Sequence, residues 1–514
     1  MSQSPIATAR RNSELGLVVM AAGITAVAYT LASLGKNTQI PARIVPFLIA
    51  LLALLVSAHV AVRLLAPGAD STLLPLAILL HGIGYVVIAR LSDRLAGLQT
   101  TWSLIAIVAF VATLLVVQRP SDLARYKWTF LVIGAGLIVM PLVPGIGVAV
   151  GGARIWVAIG PINFQPGEFA KIALALFFAG YLADTRELIA AGTRRIGPMR
   201  IPEMKYVLPV TIAWGFAVAV MVLEKDLGSA LLFFTMFTVM MWVATERAIY
   251  LVLGLVLFSG AAYVAWKLFA VVQLRVHVWL DPWAQYQGKG YQIVQAMFAF
   301  ANGGTGGTGL GLGSPTKIPA AKTDFIFAAI GEELGLVGGT AVIIAFLLII
   351  GAGLRIATRS ERPFEKLLAT GLTTIIGMQA FIIIGGVIRL VPLTGITLPF
   401  VSYGGTSLLA NYVLLALLLR VSDSTARRKG EVPDVLTLGE RWESWGKRRD
   451  EKKGIRRAPI TDEHEQQYDE PGYDEHDVRE DDEPYDDEPY DDQSVDDEPY
   501  DDEQITDEHP VVEP

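Results

Sequence analysis

The chain has 514 residues, 53% of them hydrophobic, with many apolar runs long enough to cross a bilayer, which excludes a soluble multidomain protein. It has no cysteine, which removes disulfides, thiolate catalysis, iron–sulfur clusters and cysteine-ligated zinc. The net charge of −8 misleads, because residues 461–514 carry 26 Asp/Glu against one Arg and leave the rest of the chain basic.

In chain order, residues 1–14 precede a first apolar stretch at 15–34 that is too long for a signal-peptide core and reads as a retained helix. Further spans are expected near 46–66, 73–90, 101–118, 127–147, 168–184, 207–223, 228–244, 248–270, 325–354, 367–389 and 399–420, twelve in all. Such lengths without strict alternation mark helices rather than barrel strands, so the fold class is all-α, a polytopic membrane helical bundle over 15–422. Lys/Arg-rich loops around 119–127, 186–205, 247 and 355–366 are expected on the cytoplasmic side, with both termini. A large loop at 271–324 is then extracytoplasmic, as are Arg154, the turn Glu224-Lys225-Asp226 and the connection 391–399. After the last span, 423–460 is a basic juxtamembrane segment suited to anionic headgroups. Residues 461–514, with three Asp-Glu-Pro-Tyr repeats, read as a disordered acidic tail.

Ionisable residues at a membrane domain's outer end are costly, so each is weighed as a site. Arg154 and Trp156 stand shortly before Pro166, Glu168 and Lys171, which open a helix. Trp156 alone suits an interfacial belt, whereas the three charges at one helix mouth favour a functional reading, with Arg154 and Lys171 suited to a phosphate. Lys225 sits in a turn whose structural and functional readings are even. Residues 303–313 hold seven glycines but lack the G-x-x-x-x-G-K-[ST] spacing, so no nucleotide site is expected; a mobile cover over the adjacent helix mouth is. Asp324 directly precedes an apolar run. A helix N-cap is its bland reading. A carboxylate between water and apolar walls should instead have a raised pKa, which suits a general base for a sugar hydroxyl. Glu332 and Glu333, about two turns further along, cannot both face lipid and are expected to give structural support by pairing with a basic residue. Two prolines and a Gly-Gly pair between 392 and 407, with Ser402 among them, break a helix where it lines a cavity. His59 and His81 read as satisfied interior histidines, and no protein-ligated metal is assigned.

These clusters, Arg154-Ile-Trp156 with Gln165-Pro-Gly-Glu168-Phe-Ala-Lys171, Thr323-Asp324-Phe-Ile-Phe with Gly331-Glu-Glu-Leu-Gly335, and Leu398-Pro-Phe-Val-Ser-Tyr-Gly-Gly405, resemble in order and spacing the SEDS family (shape, elongation, division and sporulation). The resemblance covers roughly residues 148–422. It implies a peptidoglycan glycosyltransferase that polymerises lipid II into β-1,4 glycan strands at the outer face of the bacterial cytoplasmic membrane. It also implies a class B penicillin-binding protein as transpeptidase partner, and an essential aspartate at Asp324. The lipid-linked glycan strand, lipid II and membrane lipids are the implied partners; nucleic acid is not.

Within the family the chain is more similar to the elongation branch, of actinobacterial RodA kind, than to the division branch, FtsW, whose lysine it lacks at Thr394. Residues 318–323 depart from the family's usual Pro-Glu-Ala-His-Thr, so no histidine precedes Asp324. Members usually have ten spans, three before the Arg-x-Trp loop where this chain has five. The expected substrate-binding residues are Arg154, Trp156, Glu168, Lys171, Lys225 and Ser402. A divalent cation, Mg or Mn, is expected to assist departure of the pyrophosphate. The alternatives are a lipid II flippase and a division-specific polymerase; a flippase should carry polar residues through the membrane depth, whereas these cluster at one face.

Overall fold

A computed structural model describes residues 5–37, 44–150, 153–160, 162–191, 194–196, 199–201 and 203–432. The chain divides into a unit of residues 1–440 and a unit of residues 441–514. The second unit, with the acidic tail, lies outside the described residues, as does the basic segment beyond 432.

The helices are α1 (Pro5–Asn37), α2 (Ile44–Leu65), α3 (Leu73–Leu91), α4 (Asp93–Val116), α5 (Lys127–Val139), α6 (Pro166–Ala191), α7 (Met204–Leu223), α8 (Leu227–Thr245), α9 (Ile249–Leu268), α10 (Ala270–Leu280), α11 (Tyr291–Gly303), α12 (Ile326–Arg359), α13 (Pro363–Val387) and α14 (Gly405–Arg428). Ten helical stretches among the described residues are long and apolar enough to cross a membrane. Of the twelve expected spans, those near 46–66 and 168–184 are not among the ten. The first contributes only a shorter apolar helix at Leu52–Leu65, and the second is α6, with Glu168 and Lys171 in its first two turns. α6 is nonetheless packed against α5, α8 and α13.

α13 and α14 form the centre: about 78% of the apolar window of each is buried inside the protein. α4 lies along α14, α12 and α8 along α13, and α1 along α3. At the other extreme, only Gly254 of α9 is buried, so that helix turns nearly its whole apolar surface outward. Helix ends follow local sequence rules. Ser92 caps α4 by accepting from the Leu95 amide, Asp226 caps α8 by accepting from Ser229, and Pro363 opens α13. α1 begins at Pro5, ahead of the expected span. Its first polar turns are held inside the fold by a buried Arg11–Glu14 ion pair and by His59 Nδ1, 2.8 Å from Glu14 Oε1.

Two features depart from a plain bundle. The loop before α6 is a three-stranded antiparallel sheet, β1 (Gly147–Val150), β2 (Ala153–Ile159) and β3 (Ile162–Phe164), with Val148 opposite Trp156 and Ala158 opposite Asn163. A hairpin of β4 (Arg194–Ile196) and β5 (Met199–Ile201) follows α6. The expected loop 271–324 is also largely ordered into α10 and α11 rather than open chain.

The second feature is a break in α12. Gly335 has φ +65° and ψ −164°, a conformation essentially reserved for glycine. The break frees the carbonyls of Glu332 and Glu333 and the amides of Leu336 and Val337 from their regular helical partners. The glycine-rich loop supplies replacements for all four. Thr308 N donates to Glu332 O at 3.0 Å and Gly309 N to Glu333 O at 3.0 Å, while Leu336 N donates to Gly304 O at 3.0 Å and Val337 N to Thr305 O at 3.2 Å. The expected mobile cover is therefore a strut inserted into a broken helix. Buried backbone groups demand partners, and glycines let the loop come close enough to provide them.

Candidate active site

Glu332 and Glu333 hold the same loop with their side chains. Glu332 accepts from the Ser314 amide at 3.1 Å and Glu333 from the Gly311 amide at 3.1 Å. Arg90 of α3 lies 3.3 Å from Glu333 and donates to the carbonyls of Gly311 (3.0 Å) and Gly313 (3.2 Å). Glu333 thus has a basic partner in Arg90, and both carboxylates bind backbone amides of the loop.

Asp324 stands one residue ahead of the α12 cap, which falls on Phe325 and makes no side-chain capping bond. The bland reading of Asp324 as an N-cap thus fails, and its carboxylate is left for other work. Its backbone is fixed from the broken segment before α14. Ser402 Oγ donates to Thr323 O at 2.7 Å and accepts from Leu398 N at 3.0 Å, and Tyr403 N donates to Lys322 O at 2.8 Å. Ser402 is buried and bonded on both sides, so it positions the aspartate's neighbour rather than facing a substrate.

Burial pushes the Asp324 carboxyl up to about 6; the Thr323 hydroxyl and the Arg275 guanidinium draw it back towards the usual range. Arg275, on α10, donates to Thr394 O at 3.1 Å and lies within electrostatic reach of both Asp324 and Asp226. α10 is stapled in place beside it, with Trp279 Nε1 donating to Arg389 O at 3.0 Å and Arg389 Nη2 donating to Trp279 O at 2.9 Å. At Gly395, with φ +85°, a Cβ would stand 3.9 Å from Asp324 Oδ2, so this connection lies close against the carboxylate.

A second chain of buried polar groups runs behind this one. Lys171 Nζ donates to Glu168 at 2.7 Å and to Gln379 Oε1 at 2.9 Å, and Gln379 Nε2 donates to Thr397 O at 2.9 Å. Lys171 is thus committed to an ion pair and an amide instead of standing free for a phosphate. Arg154 is exposed on β2, and its amide donates to Glu224 O at 3.1 Å, which brings it beside the exposed Lys225. Trp156, half-buried, stays in the sheet opposite Val148. Burial pushes the Glu224 carboxyl up to about 8, with the Asp226 charge adding to the rise; burial likewise raises Asp226.

Asp324 and Asp226 therefore both lie within electrostatic reach of Arg275, with Glu168 near enough to Asp226 to act on its charge. The Glu168–Lys171 pair and Ser402 are buried, whereas Arg154 and Lys225 are exposed. Sequence reading missed Arg275 and Gln379. A lone arginine in the apolar run Val-Val-Gln-Leu-Arg-Val-His-Val-Trp-Leu was the available signal for the first; a single glutamine in a long apolar helix was the weaker signal for the second. Among the described residues no three His, Asp or Glu side chains converge as a metal set.

Comparison with known proteins gives a consistent picture. The FtsW/RodA/SpoVE model, described as cell cycle protein, matches residues 71–427. A Mycobacterium tuberculosis protein named peptidoglycan glycosyltransferase RodA is 42% identical over 441 residues, 83% of this chain and 94% of that protein. The Mycobacterium leprae protein of the same name is 41% identical over 431 residues, 82% of this chain and 92% of that one. Among solved structures, a chain from work on the structural coordination of polymerization and crosslinking by a peptidoglycan synthase complex superposes with a TM-score of 0.58 at 26% identity, over 70% of this chain and 98% of that one.

Proposed function

Because the chain belongs to the FtsW/RodA/SpoVE family of cell cycle proteins, we infer that it is a multi-pass membrane peptidoglycan glycosyltransferase of the elongation type. Lipid II presents its GlcNAc 4-hydroxyl to Asp324, which takes the proton as that oxygen attacks the anomeric carbon of the lipid-linked strand. The C–O bond to the pyrophosphate breaks, the anomeric centre inverts to a β-1,4 link, and polyprenyl pyrophosphate leaves. The observation that carries this reading is the Asp324 carboxyl itself: not used as a helix cap, half-buried, and shifted towards the pH at which a general base is most effective.

Arg275 faces the negative charge of Asp324 and keeps enough of it ionised to act as a base near neutral pH. Arg154 and Lys225, both exposed and brought near each other by the bond from the Arg154 amide to Glu224 O, are the cations that receive the pyrophosphate in this reading. A divalent cation, Mg or Mn, would supply further stabilisation of the charge on the departing pyrophosphate.

The partner is a class B penicillin-binding protein, a reading supported by the similarity to a chain of a synthase complex that couples polymerization to crosslinking. The Asp324 end of the bundle faces outward and both termini face the cytoplasm, as the distribution of Lys and Arg requires. Purified protein given labelled lipid II in detergent or vesicles tests the assignment. Glycan chains are the expected product. Movement of lipid II between leaflets without glycan would instead make the protein a transporter.

A further inference from the structure

α1 lies outside the stretch that the family model matches, residues 71–427, yet it reaches the loop that braces the Asp324 helix. Its last turns press against residues 310–311. At Gly35 a Cβ would stand 2.4 Å from Leu310 O and 3.1 Å from Gly311 Cα. At Gly311, φ +83°, a Cβ would stand 2.4 Å from Ala32 O and 3.0 Å from Gly35 Cα. These are backbone-to-backbone contacts, so neither position can take a side chain without moving one segment off the other.

The depth of α1 is set at its other end, where the buried Arg11–Glu14 ion pair is hydrogen-bonded to His59 and Arg11 also donates to Ala69 O. Further along, α1 packs against α3, whose final turn supplies Arg90 to the same loop. The loop is therefore clamped between α1 on one side and the break in α12 on the other. Residues 326–334, the half-helix that Asp324 leads into, receive their last backbone partners from it.

We propose that Gly35 is a positioning residue for glycosyl transfer: by seating residues 304–313 in the break of α12, α1 fixes the half-helix that aims Asp324. This rests on the glycosyltransferase reading above. It makes α1 a working part of the catalytic domain rather than an added anchor. A displaced base slows chemistry while leaving binding of lipid II alone, and a shift of about 1 Å at such a group costs on the order of 100-fold in rate.

The test compares Gly35→Val and Gly35→Ala with Gly16→Val and Gly23→Val, two positions on the same helix where an added Cβ meets nothing within 4 Å. Polymerisation of lipid II by the purified full-length protein gives kcat and KM, and hydrogen exchange reports the Leu336 and Val337 amides. Gly35→Val should lower kcat by about 10- to 100-fold with KM within about twofold of wild type. The two amides should exchange at least about tenfold faster, since their partners are loop carbonyls. Gly16→Val and Gly23→Val should match wild type in both.

If Gly35→Val does not fold, Gly35→Ala decides on the same criteria, with a smaller loss expected. Unchanged kcat and exchange in the Gly35 variants would overturn the proposal, as would a rise in KM alone or an equal loss in the Gly23 control. An inactive wild type would count against the glycosyltransferase reading, and the exchange comparison would still decide whether Gly35 seats the loop.

Discussion

Replacing Asp324 by asparagine should make the protein inactive and, above pH 7, more stable. Burial raises the folded-state carboxyl from an ordinary 3.8 to about 6, so the fold favours the protonated acid. A group whose pKa is raised on folding contributes stability that is fully present below its unfolded pKa and is lost as pH rises through its folded pKa. For Asp324 that window runs from about pH 4 to about pH 6. Above it the ionised side chain costs about 3 kcal/mol relative to a neutral one, from a shift of about two units at 1.36 kcal/mol each. This is a ceiling, because the carboxyl is half-buried and keeps some contact with water.

Asparagine has the shape of the neutral acid and carries no charge at any pH. Thermal unfolding of wild type and Asp324→Asn in the same detergent, from pH 4 to pH 8, should show curves that coincide near pH 4 and diverge as pH rises. The variant should melt several degrees higher at pH 8. A variant equally or less stable at pH 8 would refute the claim that Asp324 is held against its preference for water.

Other outcomes follow from the same geometry. Arg275→Gln removes the charge that lowers the Asp324 pKa, so the acidic limb of the pH–rate profile should move to higher pH and the rate at pH 7 should fall; an unmoved limb would separate the two residues. Lys171→Met leaves Glu168 buried without its partner and should cost about 3–5 kcal/mol of stability, while the double change Glu168→Gln with Lys171→Met should recover much of that loss in the same unfolding assay. Gly335→Ala places a Cβ 2.3 Å from Gly307 N in a conformation only glycine adopts, which should destabilise by at least about 1–3 kcal/mol and speed exchange of the loop amides 308 and 309. Chelation should slow polymerisation in proportion to the cation bound by lipid II, with no cation retained on the protein after dialysis as read by elemental analysis.

Much of this arrangement was legible in the sequence because lipid imposes strong constraints. Long apolar runs must be helices, and charges that survive beside them must be paired or used. That logic isolated Asp324, singled out Glu168 and Lys171, and assigned Glu332 and Glu333 to support. It failed where the deciding contact is tertiary. The glycines of 303–313 look the same in a mobile cover as in a strut, and only the φ/ψ of Gly335, which frees four backbone groups, tells the two apart. Lys171 was expected to hold phosphate because Gln379, more than two hundred positions away, could not be seen as its second partner. Ser402 was expected at the substrate for the same reason: its acceptor, the carbonyl of Thr323, lies on another element. Arg275 was overlooked because a basic residue in an extracytoplasmic loop carries no cost, whereas in α10, bonded to Thr394 O and within reach of two aspartates, it does.

The most direct measurement is the pH dependence of lipid II polymerisation by the purified protein beside that of Asp324→Asn. Wild-type turnover should rise with pH through a midpoint near 6 and then level off, and the folded variant should make no glycan at any pH. Glycan strands formed by Asp324→Asn at the wild-type rate would contradict the assignment of Asp324 as the base.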